Sequence, residues 1–154
     1  MLQITKTADY DLWIGKLNRP YTFLSPFGGQ EFALLLVVAD TTVMDHERDD
    51  MSREIVRQGC RYAVCFGNNC SKWHDAIDIA FIYTDPNFSP PEEKHIMTTW
   101  HEHESLADVT FFFRTCTTFE NFTPRHYLVL IVGDDDKMVH TVTSSLRIDF
   151  DACD

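Results

Sequence analysis

The sequence predicts a single three-layer α/β domain, with a mainly parallel sheet of about four central strands and helices on both faces. Three observations carry this. Residues Phe32 to Ala39 are apolar without a break and end at Asp40; a strand apolar on both faces is one covered on both sides, as in a parallel sheet. Strand-like and helix-like segments then alternate up to a last apolar run, which is the signature of an α/β sheet. The length, 154 residues, suits one domain and can bury a core without disulfides or metal.

The elements follow in order. Residues 1–30 form an N-terminal arm. Within it Tyr10, Trp13, Ile14 and Leu17 have the i, i+3, i+4, i+7 spacing of a short amphipathic helix, stopped by Pro20. Tyr21 to Leu24 reads as a short edge strand, and Pro26-Phe27-Gly28-Gly29 as a turn. The βαβαβαβ core is expected over 31–133, opening with Phe32–Ala39. The first core helix is expected to start from Thr41 or Thr42, since Thr42 and Asp45 have capping-box spacing. Met44, Met51 and Ile55 give it a narrow apolar stripe, Asp45, Glu47, Asp49 and Asp50 acidify its positive end, and Gly59 ends it.

Cys60 to Phe66 is the second core strand and Gly67-Asn68-Asn69 a turn. The next helix carries the cleanest apolar periodicity, at Trp73, Ala76, Ile77, Ala80 and Phe81. Asp85 to Glu93, with three prolines, is a loop, and Ile96 to Trp100 a third strand. Ser105 with Asp108 again has capping spacing, opening a helix that turns Leu106, Val109, Phe113 and Cys116 inward. Tyr127 to Val132 is the fourth strand. In the C-terminal arm, 134–154, Leu146, Ile148 and Phe150 alternate with Arg147 and Asp149, which predicts a half-exposed strand after an irregular stretch.

Composition narrows the function classes. Thirteen basic against 24 acidic residues give a net charge of −11. Such a surface repels phosphate backbones and anionic membranes, and suits a basic protein partner. No apolar run approaches the roughly 20 residues of a membrane span, and the first residues lack the apolar core of a signal peptide. Five cysteines, an odd number, fit free thiols in a reducing compartment, so the expected location is the cytoplasm.

Ligands in open parallel sheets bind beyond the carboxyl ends of the strands, which places Asp40, Cys70, His101, His103 and Asp134 on one rim. Three chemistries follow. His101 and His103 point the same way if the strand continues through them, and with Asp40 or Asp134 would hold a divalent metal. Cys70, at a helix start, with His101 as base, would form a nucleophilic pair. The chain has no Cys-x5-Arg phosphate loop, because Ala76 stands at the arginine position, and no Gly-x-Gly-x-x-Gly or P-loop pattern. Cys60 and Cys65, of opposite strand parity, are expected on opposite faces. The third chemistry is recognition, by an acidic rim of Asp40, Asp45, Glu47, Asp134, Asp135 and Asp136 facing a basic partner. The expectation is therefore a non-enzymatic protein-binding or regulatory module without a required cofactor. The alternative is a small hydrolase or transferase using a metal or the Cys70–His101 pair.

Overall fold

The structure, a computed structural model, describes residues 1–151 of the chain. The elements are β1 (Leu2–Lys6), β2 (Asp11–Leu17), β3 (Phe32–Val38), α1 (Asp45–Arg57), β4 (Cys60–Gly67), α2 (Cys70–Ile82), β5 (Met97–His101), α3 (Leu106–Thr115), β6 (His126–Val132) and α4 (Asp136–Asp151). They build a six-stranded sheet in the order β1-β2-β6-β3-β4-β5. All neighbours are parallel except β1 and β2.

The unbroken apolar run becomes β3, buried at every position. Its alternate side chains serve two cores. Phe32, Leu34, Leu36 and Val38 join Met51 and Ile55 of α1 and Trp73 and Ile77 of α2. Ala33, Leu35 and Val37 join Val109 and Phe113 of α3 and Val142, Leu146 and Phe150 of α4. Helices thus cover both faces, and the three-layer architecture is the one the sequence predicts.

Several local expectations are corrected. The stretch expected as an N-terminal helix is strand β2, inserted between β1 and β6 in register with Tyr127 to Val132. Its apolar residues fall on both parities, with Leu12 and Ile14 in one core and Trp13 and Leu17 against the other. A strand between two helical layers wants that pattern, and Gly15 costs a helix interior about 1 kcal/mol. Residues 21–24 form no strand; Tyr21, Phe23 and Phe27 instead cover the α1 side of the sheet.

The tail is also a helix. Over residues 136–151 the stripe Val142, Leu146 and Phe150 is buried, while Ile148 is exposed. The Asp135 carboxylate accepts the Met138 N–H at 2.8 Å and starts it. Residues 152–154 of the expected C-terminal arm lie outside the described residues. Neither Thr41 nor Thr42 caps α1. Met44 stands at that position, exposed, and the Glu47 carboxylate folds back to accept its N–H at 2.9 Å. Ser105 does cap α3, accepting the Asp108 N–H at 3.1 Å, whereas Cys116 is exposed and not inward.

Cys60 and Cys65 share one face. Phe32 pairs with Cys60 but Ala33 with Tyr62, so Arg61 is the extra residue of a bulge that resets the alternation. Cys60, Cys65 and Cys70 all enter the α1–α2 core.

Candidate functional site

The carboxyl ends of the strands and the amino ends of the helices meet at one end of the molecule. The chain reverses direction across the sheet between β3 and β6, since β4 and β5 lie on one side of β3 and β6 on the other. The crevice expected at such a switch point is closed here by backbone. The N–H groups of Ala39 and Asp40 both donate to the Val132 carbonyl, at 3.0 and 2.9 Å. A Cβ on Gly133, at φ +123°, would lie 3.0 Å from the Asp40 nitrogen.

Asp40 is spoken for locally. Its carboxylate accepts the Thr42 hydroxyl at 2.6 Å, the Tyr21 hydroxyl at 2.5 Å and the Thr42 N–H at 2.8 Å. These bonds, the Thr42 hydroxyl first, hold its pKa below the usual carboxylate value. Burial, followed by the bond to Asp40, raises Tyr21 to about 12. Beside them Arg19 reaches both oxygens of Glu47, at 2.8 and 3.0 Å, and the Thr42 carbonyl at 3.1 Å. That pairing holds Glu47 at about 2.

Three more rim carboxylates, Asp134, Asp136 and Asp45, are paired with cations. Lys16, at the end of β2, donates to Asp134 at 2.7 Å and also to Asp136. Asp45 receives Arg48 at 2.7 Å. Asp135 has the capping bond to Met138. Six carboxylates thus face three paired cations, Lys16, Arg19 and Arg48, and six minus three leaves the rim at −3. Lys16, Arg19 and Tyr21 were not singled out in the sequence. They reach the rim only because β2 lies against β6, a pairing that no local pattern announces.

Cys70 and His101 are close in backbone but divided by the sheet. Cys70 is 2% exposed, inside the α1–α2 core. Burial raises its pKa, outweighing the His101 backbone N–H that bonds the sulfur. The His101 ring lies on the other side, 4.7 Å from the Phe112 ring. Its Nε2 meets the Thr99 hydroxyl at 2.9 Å and its Nδ1 meets the Glu104 carboxylate. β5 ends at His101, and His103, at φ +60° and exposed, belongs to the following loop. The expectation that the strand runs on through His103 is corrected. Among the described residues no group of three His, Cys, Asp or Glu side chains is placed to hold a metal ion.

The opposite end of the sheet carries features the sequence did not flag. A cleft of about 660 Å³ opens between Val56, Arg61, Phe81 and Ile96. Arg61, the bulge residue, is buried there, bonded to Glu31 and to the His95 carbonyl at 3.0 Å. On the outer face of α2, Ile79, Ile82 and Tyr83 meet Phe88 around a shallow notch of about 300 Å³. All four are at least 42% exposed. The Asp85 carboxylate accepts the N–H groups of Asn87 and Ser89, at 3.0 and 3.1 Å. That turn holds the Phe88 ring 5.2 Å from Tyr83.

The molecule so described is a doubly wound α/β domain whose strand-end rim is filled by its own side chains. No helix among the described residues is long and apolar enough to cross a membrane. A family model described as "Domain of unknown function (DUF7684)" matches residues 15–147, and the chain belongs to that family. The matched span holds β3, β4, β5 and β6, three complete helices and most of α4. No match was found among curated proteins or among solved structures.

Proposed function

We propose that this domain is a non-catalytic binding or regulatory module for a basic protein partner. The observation that carries the reading is the notch of Ile79, Ile82, Tyr83 and Phe88 and the negative charge around it. Large exposed apolar side chains gathered in one place mark interaction sites more often than chance exposure does. Asp75 and Asp78 stand one helical turn before Ile79 and Ile82, with side chains 70% and 42% exposed. Asp85 follows in the turn that carries Phe88. α2 has no basic residue in its last turn, so the negative end of its dipole adds to the same potential. A partner presenting lysine or arginine beside one apolar side chain would satisfy both features. The rim at the carboxyl ends, still net negative, would steer such a partner toward the domain.

Catalysis is supported less well by the same geometry. A nucleophilic Cys70 needs an accessible thiolate and a base within hydrogen-bond reach, whereas the thiol is buried and the imidazole lies across the sheet.

The test is binding of a fluorescent Lys- and Arg-rich peptide carrying a single leucine, followed by anisotropy at low and high salt. The expected result is binding that weakens with salt and falls about tenfold or more in Ile82→Asp. The reading is abandoned if that peptide shows no binding at low salt, or binds no better than an acidic peptide of equal length.

A further inference from the structure

A second feature lies on the α3 side, away from both the rim and the notch. Arg114, in the last turn of α3, stacks over three rings. Its guanidinium carbon is 4.6 Å from the Tyr10 centroid, 5.2 Å from Phe150 and 5.8 Å from Tyr127. This stacking fixes the plane of the group and leaves its N–H donors at the edges. The donors are poorly used. Nε is buried without a hydrogen-bond partner, and Nη1 reaches only the Tyr127 hydroxyl, at 3.5 Å. No carboxylate pairs with Arg114 among the described residues, in a chain of net charge −11 where six other cations are paired with one.

Arg114 lines a cleft of about 600 Å³ together with Arg125, Thr118, Thr123, Tyr127 and Asp9. Arg125 has one bond, to the Ala8 carbonyl at 3.3 Å, and likewise no carboxylate partner among the described residues. Two arginines and three threonines, Thr115, Thr118 and Thr123, therefore line one cavity, and Asp9 is the single acidic residue among the lining. The cavity's size falls in the range of small-molecule sites, about 300–1,000 Å³. A planar guanidinium fork matches the two oxygens of an oxyanion, and neither arginine of this lining has a carboxylate partner among the described residues.

We infer that the cleft between the end of α3 and the start of β6 binds a small molecule through an oxyanion group, a carboxylate or a phosphate, held by Arg114 and Arg125. This site is independent of the partner surface on α2, and gives a regulatory module a ligand to respond to.

The experiment is thermal unfolding and calorimetric titration of the whole chain with citrate and with pyrophosphate, at ionic strength held constant with chloride. The expected result is a rise in the unfolding midpoint with at least one of the two, growing with concentration as linkage requires. Response to citrate alone identifies a carboxylate ligand, and to pyrophosphate alone a phosphate ligand. Arg125→Gln, at an exposed position, should weaken the binding about tenfold, the worth of one charge-assisted hydrogen bond. Arg114→Lys keeps the charge but loses the fork, and should weaken it as well. Absence of any effect beyond the chloride control overturns the inference, as does unchanged affinity in a folded Arg125→Gln protein.

Discussion

Asp40 follows β3, two residues beyond its end at Val38, and three hydrogen bonds from Tyr21 and Thr42 decide its role. A carboxylate so engaged is a turn-former. Asp40→Asn should cost about 1.5–3 kcal/mol, the range for hydrogen bonds to a charged group, measured as a shift in urea unfolding at neutral pH. The pH dependence has a definite sign. The folded-state pKa lies below the ordinary 3.8, so the wild-type advantage is present above that value. It is lost as pH falls through the depressed one. The buried thiols give the opposite case. Burial raises Cys60, Cys65 and Cys70 above the ordinary 9.0. Above pH 9 the unfolded chain releases protons that the folded one retains, and stability should fall as pH rises. At neutral pH iodoacetamide should modify Cys116, which is exposed, and spare Cys60, Cys65 and Cys70, as read by mass spectrometry of tryptic peptides. Rapid alkylation of Cys70 in the folded protein would restore the nucleophile reading. From the residues alone, Cys70 and His101 look like neighbours at adjacent strand ends. What sequence does not carry is the face to which each side chain turns.

At the scale of elements, the central strands and α2 are legible because their apolar pattern has one solution. β3 is apolar throughout and β6 from Tyr127 onward, and α2 places Trp73, Ala76, Ile77 and Ala80 inward at helical spacing. β2 and α4 are not, for a shared reason. Four of the five large apolar residues from Tyr10 to Leu17 fit one face of a helix, all five fit the two faces of a strand, and the neighbouring β6 selects the strand. Leu146 and Phe150 fit period two as well as period four, and the capping carboxylate of Asp135 with the α3 surface selects the helix. The Arg61 bulge is equally invisible, and it alone puts Cys60 and Cys65 on one face. The turn after β4 makes a direct test of how tightly strand ends and helix starts are joined. A Cβ on Gly67, at φ +95°, would lie 2.5 Å from the Val38 carbonyl oxygen. Gly67→Ala combines that clash with a left-handed backbone and should destabilise by roughly 2–5 kcal/mol. Gly28→Ala, at φ +60° with nothing within 4 Å of the added carbon, should cost only the backbone share, about 1–2 kcal/mol. Equal urea midpoints for the two variants would contradict the described strand-end packing.

For the whole molecule, charge and topology bear on function together. The fold gathers acidic residues at the amino ends of α1 and α4, where they offset the dipoles and are partly neutralised by Lys16, Arg19 and Arg48. The rim that the sequence marks out is thereby satisfied from within. The features left unsatisfied, the α2 notch and the Arg114 cleft, are assembled by residues that sequence spacing does not connect. Tyr83 and Phe88 meet through a turn, and Arg114 and Arg125 meet across the end of α3. The measurement that tests the binding reading most directly is native mass spectrometry of the protein purified from its own host, at low and then at high salt. The reading predicts a complex with a protein of opposite charge at low salt that dissociates as salt is raised. The chain free of any protein partner at both salts, or a complex that salt leaves intact, would contradict it.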